Sequence, residues 1–526
     1  MTSSSSSAPK GGIAPVTRRV MNLSHVLRQA ARRHPAALGL VWGERCWQWA
    51  EIDRRVDAVA WALAERGVAK GDRVLVQARN GNQLVESMFA CFRLGAVWVP
   101  TNFRQTPEDI AYVAASSGAS VMIWGEEFAA HHDAVRALPS VRLTLSLAEF
   151  DALDHAGPRF PTCDVEHDDP CWFFYTSGST GRPKAAVLTH GQMGFVINNH
   201  LCDLMPGMTP DDASLVVAPL SHGAGIHLLV QVARAVKSIL PASDRLDPAV
   251  AWSLVERWQV TNMFTVPTIL KLLVEHPAVH EHDHSSLRTI IYAGAPMYRQ
   301  DQKTALRVLG KVLVQYFGLG EVTGNITVLP PALHDPDDEA LAGSCGYERT
   351  GMQISIQDGR GDELPAGETG EICVCGLAVF AGYYQNDEAN AKAFRRGWFR
   401  TGDLGYLDAA GFLFITGRDS DMYISGGSNV YPREIEEKLL AHPAIAAVAV
   451  VGMPDPVWGE VGVVAAVLRA GAQASEADLL AWLGPKIARY KLPRRVVFWE
   501  TLPTSAYGKV TKALVRDKLR ENLHPS

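Results

Sequence analysis

Between residues 72 and 316, short apolar runs alternate with segments of helix length, and this alternation constrains the fold most. The runs are 72–77, 120–124, 172–175, 213–218, 262–266, 289–292 and 313–316. Strands that are apolar on both faces and separated by helices belong to parallel sheets covered on two sides. The expected class is therefore α/β, a large N-terminal body of doubly wound sheets. Amphipathic helices are expected at 23–33 and 49–66, and a further helix at 84–94.

From Gly343 the texture changes to Gly, Asp and short alternating strands (370–374 and 411–415), which predicts a compact antiparallel, β-barrel-like unit. After Gly417-Arg418 a third pattern follows: a run at 423–427, a helix from Pro432, a strand at 446–451, a helix at 476–487 and a strand at 496–499. This is a small α+β module of about 105 residues.

Composition excludes several classes. Apolar residues are 47% and charged residues 20% of 526, so the chain has ample core. The formal charge of −6 is spread along the chain and advertises no basic face for nucleic acid. No apolar run approaches the roughly 18–20 residues that a membrane-spanning helix needs. The eight cysteines are scattered without paired spacing, and a cytoplasmic setting is expected. The Ser-rich, acid-poor start has the composition of a transit peptide, but reads more simply as a disordered tail over residues 1–12.

The segment Tyr175-Thr-Ser-Gly-Ser-Thr-Gly-Arg-Pro-Lys184 carries the chemistry. A flexible strand-to-loop turn rich in backbone N–H and hydroxyl donors, ending in a cation, suits a polyphosphate. It is not a Walker A loop, because no Gly-Lys-Ser/Thr follows at the required spacing. Two other features are set aside. Gly318 to Gly324 is one residue too long for a dinucleotide fingerprint, and His280 to His284 reads as a solvated turn rather than a metal site.

This segment closely resembles the phosphate loop of the adenylate-forming (AMP-binding) superfamily, in its acyl-CoA synthetase and fatty-acid-CoA ligase branch. Further motifs match in order: Pro219-Leu-Ser-His222, Ala293-Gly-Ala-Pro-Met297, Phe317-Gly-Leu-Gly-Glu321, Gly397 to Asp403, Gly417-Arg418, Ser425-Gly-Gly427 and Tyr507-Gly-Lys509. The resemblance implies an N-terminal domain over 13–417, a hinge at 418–420 and a mobile C-terminal domain over 421–526 carrying the catalytic lysine. It implies that ATP, Mg²⁺ and CoA are used to activate a carboxylic acid as acyl-AMP and pass it to a thiol.

The same resemblance assigns roles. Thr176, Ser177, Gly178, Ser179, Thr180, Gly181 and Lys184 would cradle the phosphates, and Glu321 would hold Mg²⁺. Asp403, helped by Arg418, would accept from the ribose hydroxyls. Gly294, Ala295, Pro296, Tyr316, Phe317 and Gly318 would line the adenine slot and its edge. His222 would stand between the acyl pocket and the thiol tunnel, Gly426 and Gly427 would line that tunnel, and Lys509 would bridge carboxylate and phosphate.

Departures from the pattern are Gly320 in place of a phosphate-binding Thr, with Thr323 or a water as substitutes, Phe317 in place of Tyr, and Ser420 at the hinge. Gly318 replaces a pocket-closing tryptophan, so space for an acid larger than acetate is expected, with Tyr316 limiting it again. Alternatives are an enzyme loading an amino or aryl acid on a carrier protein, a luciferase-like oxygenase, and a non-catalytic acyl-adenylate-binding protein. No nucleic acid or membrane partner is expected, and a homodimer is a candidate assembly.

Overall fold

The computed structural model describes the chain except residues 1–16, 154, 177–181, 244, 296, 338–340, 342, 505–509 and 524–526, and the side chains of 522 and 523. Three helices begin the core: α1 (His25–Arg33), α2 (Trp49–Glu65) and α3 (Asn82–Leu94). α3 is buried along its whole length, polar residues Asn82, Gln83, Glu86, Ser87 and Arg93 included.

Two large sheets flank these helices. The first has six strands, in the order Lys184–Thr189, Pro170–Thr176, Val97–Pro100, Arg73–Gln77, Val121–Trp124, Leu143–Ser146. The second has seven, in the order Leu313–Gln315, Thr289–Tyr292, Asn262–Thr265, Ala213–Val216, Lys237–Leu240, Leu38–Trp42, Arg45–Gln48. Both are parallel as expected, except at one edge each. Lys184–Thr189 runs antiparallel to Pro170–Thr176, and Arg45–Gln48 antiparallel to Leu38–Trp42. The first of these edges matters for the site, so we label its strands β1 (Pro170–Thr176) and β2 (Lys184–Thr189).

Period-two alternation along β1 divides its aromatic residues between two cores. Trp172 and Phe174 join the core with α1–α3 and with helix α4 (Gly223–Ala233). Phe173 and Tyr175 face a second core with Val99, Ile110 and Val113.

The antiparallel unit foreseen after Gly343 is a five-stranded sheet built on Met352–Gln357, Gly370–Gly376 and Trp398–Leu407, with Leu413–Arg418 paired to the last of these. Beyond it lies a second five-stranded sheet, made of Tyr423–Ser425, Ser428–Val430, Ile445–Asp455, Gly459–Leu468 and Arg495–Phe498. Its longest hairpin partner, Gly459–Leu468, was not anticipated. The helix foreseen at 476–487 ends at Leu483. This C-terminal module touches the larger body: Tyr298 packs against its core, and Lys271 Nζ donates to the carbonyl of Ala446 at 3.4 Å. Among the described residues no helix is long and apolar enough to cross a membrane.

Burial of imidazoles gives the fold a pH dependence. His190 and His334 are pushed down to about 4 by burial, and His227 to about 3. The unfolded chain takes up protons near the ordinary histidine value while the folded chain does not. Stability is therefore complete above about pH 6.5 and falls as the pH drops towards 4. By pH 5 each of these residues is expected to lower stability by about 2 kcal/mol. Denaturant melts between pH 7 and 5 check this, and His190→Gln should flatten the slope.

Candidate active site

The phosphate-loop candidate joins β1 to β2, and Thr176 pairs directly with Lys184 across the hairpin. The loop thus leaves and re-enters the sheet at one point, holding its ends together. Ser177, Gly178, Ser179, Thr180 and Gly181 lie outside the described residues, as do Pro296 and Lys509. Just past the loop, Tyr112 donates to the carbonyl of Pro183 at 3.2 Å, and the Arg182 guanidinium lies 5.0 Å from the Tyr112 ring centre.

Glu321 sits on a single 3₁₀ turn, Gly320–Val322, and is 6% exposed. Two hydroxyls converge on one of its oxygens. Thr176 Oγ1 donates to Oε1 at 2.8 Å, and Tyr383 Oη donates to the same atom at 2.9 Å. Neither bond occupies Oε2. The Lys184 ammonium lies 4.3 Å from the centre of the Tyr383 ring, a cation–π distance. Thr176, Lys184 and Glu321 are thereby brought together around a tyrosine that sequence reasoning had not singled out.

The structure also supplies a physical reason for Gly320. A Cβ there would stand 2.6 Å from the Phe174 ring and 2.8 Å from Thr176 Cγ2, so threonine cannot fit without displacing β1 side chains. Phe174 in turn packs at a tilt against His222, with ring centres 4.3 Å apart. Thr323 is not the replacement for the missing hydroxyl: it donates to its neighbour's carbonyl, Val322 O, at 2.7 Å. The hydroxyl nearest the acid is that of Thr176.

Two sequence readings need correction. Gly318 does not open space, because its missing Cβ would fall on the backbone of Gly324. Gly318 is there to let two chain segments touch. Tyr316 does not present its ring to an open adenine slot; it is 8% exposed and stacks with Phe264 and His227. Gly324 makes room for that ring, since a Cβ on it would lie 2.6 Å from Tyr316 Cε2. Phe317 is half-buried, and its N–H donates to Thr327 Oγ1 at 3.1 Å. Gly294 is exposed at φ +83°, a left-handed turn that suits glycine, with Ala295 half-buried beside it.

Asp403 and Arg418 face each other across paired antiparallel strands, and Arg418 Nε donates to Asp403 Oδ1 at 2.9 Å. Burial pushes the Asp403 carboxyl above its ordinary value, and the guanidinium opposes this. The carboxylate pushes Arg418 upward, so the guanidinium stays charged in contact with it.

Gly426 and Gly427 form the exposed turn between Tyr423–Ser425 and Ser428–Val430, both at positive φ. A Cβ on Gly426 would also meet the Trp458 ring at 2.7 Å. Among the described residues no group of three His, Cys, Asp or Glu could hold a metal, which includes the 280–284 segment.

The description "AMP-binding enzyme" matches residues 27–384, and "AMP-binding enzyme C-terminal domain" matches 434–509. A feruloyl-CoA synthase from Amycolatopsis sp. is 38% identical over 92% of this chain and 96% of its own. A fatty acid–acyl-carrier-protein ligase from Streptomyces coeruleorubidus is 32% identical over 93% of this chain and 94% of its own. The o-succinylbenzoate CoA synthetase of Bacillus subtilis, solved with its acyl-adenylate intermediate, superimposes with a TM-score of 0.84 at 28% identity. That match covers 95% of this chain and 98% of the other.

Proposed function

We propose, from the premise that this chain belongs to the AMP-binding enzyme family and is an ATP-dependent acyl-CoA synthetase, a division of labour among its residues. The observation that carries the proposal is the convergence of Thr176, Lys184 and Glu321 at the mouth of the β1–β2 turn, with buried Asp403, paired to the more exposed Arg418, as a second anchor. The first step joins two anions, the acid's carboxylate and the α-phosphate of ATP. The site must therefore neutralise charge and fix the attack in line.

Lys184 and the loop 177–181 hold the outer phosphates. Asp403, paired with Arg418, accepts from the ribose hydroxyls, and Ala295 with Gly294 borders the base. Among the described residues nothing hydrogen-bonds Oε2 of Glu321, which fits a hard cation that keeps most of its waters, and one carboxylate plus substrate phosphates is the donor set Mg²⁺ prefers. When bound, Mg²⁺ supplies charge neutralisation at the leaving pyrophosphate. Lys509, on the C-terminal module, bridges the carboxylate and the phosphate oxygens as the C–O–P bond forms.

Pyrophosphate leaves, and the acyl-adenylate remains. We place a hinge at 418–420, where the third sheet ends, about which residues 421–526 rotate. The turn at Gly426-Gly427 then faces the adenylate and leads in the thiol of CoA. A thiol attacking an acyl phosphate mixed anhydride needs no dedicated base beyond its own thiolate fraction. His222, packed on Phe174, stands between acid and thiol.

For the acid we propose a ring-bearing carboxylate rather than a long chain. Aromatic faces lie at and beside His222: Phe174 packs against its ring, and Phe264 borders Gly223 and stacks on Tyr316. The likeness to a feruloyl-CoA synthase supports this reading.

Pyrophosphate–ATP exchange over a panel of carboxylates tests it. Aryl and arylalkenoic acids should support exchange at least tenfold better than long-chain acids, and adding CoA should convert exchange into thioester. A preference for long-chain acids would overturn the choice of acid. Exchange without thioester would point to a carrier-protein acceptor.

A further inference from the structure

We propose that Tyr383 is a positioning residue that seats the phosphate-loop cation and the metal-binding carboxylate on opposite parts of one side chain. Its ring carries the Lys184 ammonium at 4.3 Å, and its hydroxyl donates to Glu321 Oε1 at 2.9 Å. The inference rests on the nucleotide site described above and adds a residue to it.

The geometry is over-determined by the backbone. The segment around Tyr383 is zipped to β2: Val187 N–H donates to Gly382 O, Ala381 N–H to Val187 O, and Tyr384 N–H to Ala185 O. Asn390 clamps Tyr383 itself, accepting its N–H at 2.6 Å and donating to its carbonyl at 3.0 Å. On the other side Phe380 N–H donates to the carbonyl of Glu321 at 2.8 Å. The same short segment thus touches the strand that starts at Lys184 and the turn that holds Glu321. Side-chain placement follows from this, because a ring with a fixed backbone and few rotamers has little freedom left.

Two physical consequences follow. The tyrosine hydroxyl, together with that of Thr176, fixes Glu321 by one oxygen, Oε1. The phenol is the donor of this pair, because a carboxylate can only accept. The ring face meanwhile holds the ammonium without neutralising it, as a carboxylate would. Lys184 keeps its full charge for the phosphates.

The two functions separate by substitution. Tyr383→Phe keeps the ring and removes the hydroxyl, while Tyr383→Leu removes both. The full-length protein is loaded with ATP and titrated with Mn²⁺, bound metal being read by electron paramagnetic resonance. Metal-free ATP binding is measured separately by calorimetry. Tyr383→Phe should weaken Mn²⁺ in the ATP complex about tenfold, the loss of one hydrogen bond to a charged group, and leave metal-free ATP affinity within about twofold. Tyr383→Leu should weaken Mn²⁺ similarly and lower metal-free ATP affinity several-fold as well. On a Glu321→Gln background, Tyr383→Phe should add nothing further.

Wild-type Mn²⁺ affinity in Tyr383→Phe, or an equal loss of both affinities, overturns the proposal. Tyr383→Phe alone suffices if the leucine variant does not fold. Glu321→Gln and Lys184→Ala serve as references: if neither alters Mn²⁺ or ATP binding, the nucleotide site itself is misplaced, whatever the Tyr383 variants do.

Discussion

Replacing Lys509 by alanine is expected to lower the rate of acyl-adenylate formation by two to three orders of magnitude, while thioester formation from supplied acyl-AMP falls by less than about threefold. The size follows from the charge problem. On the role proposed for Lys509, its removal leaves the repulsion between two anions unscreened, an effect of roughly 3–4 kcal/mol in comparable electrostatic losses. The asymmetry follows from the second step as proposed, in which a thiol attacks the acyl-adenylate's carbonyl carbon and the module presents the Gly426-Gly427 turn instead. Single-turnover assays of each half-reaction check it. Equal losses in both steps, in a variant with an unchanged melting temperature, would contradict the division of labour between the two faces of the module.

A second large effect concerns folding. Arg93 is fully buried in α3 and bonds two carboxylates of α2: Nη2 donates to Asp53 Oδ1 and Nη1 to Asp57 Oδ1, each at 2.6 Å. Arg28 of α1 closes the group from the other side, donating to Asp57 at 2.7 Å and to Asp53 at 3.3 Å. Two cations and two anions balance, and three helices are tied at one point. Arg93→Met fills the volume but leaves a buried, uncompensated negative charge. The expected loss is about 3–5 kcal/mol, enough to lower the melting transition of the larger body clearly. Arg93→Met combined with Asp53→Asn should recover part of the loss, because the orphaned charge is then removed. Calorimetry of the single and double variants measures both numbers. A shift under about 1 kcal/mol for the single variant would mean that the network contributes little.

How much of this could be read from the chain alone differs by residue. The parallel strands were legible because each is a short run apolar on both faces. The roles proposed for Lys184, Glu321, Asp403 and Lys509 rest on the family resemblance that the ordered motifs around them carry. Contacts between segments far apart in sequence were not legible. Gly320 reads as a lost ligand until the Phe174 ring is seen in the space a threonine would need. Gly318 reads as an opened pocket until Gly324 is seen against it.

Tyr383 gives no local signal, since an Ala-Gly-Tyr-Tyr stretch after a strand suggests only a turn. Its meaning depends on Glu321, 62 positions earlier in sequence. The strand Gly459–Leu468 was missed because its small residues lack the clear alternation of an exposed strand. It is buried over most of its length between Ile445–Asp455 and Arg495–Phe498. The Arg93 network was hidden for the opposite reason, because charged residues on a helix are usually assigned to the solvent side.

The central claim is that acid activation passes through a mixed anhydride with AMP at the Lys184–Glu321–Asp403 site. Incubating the enzyme with ATP, CoA and a carboxylate labelled with ¹⁸O in both oxygens tests it directly by mass spectrometry of the released AMP. One labelled oxygen per AMP, appearing at the same rate as thioester, is the predicted result. Unlabelled AMP, or label in phosphate alongside ADP, would contradict it.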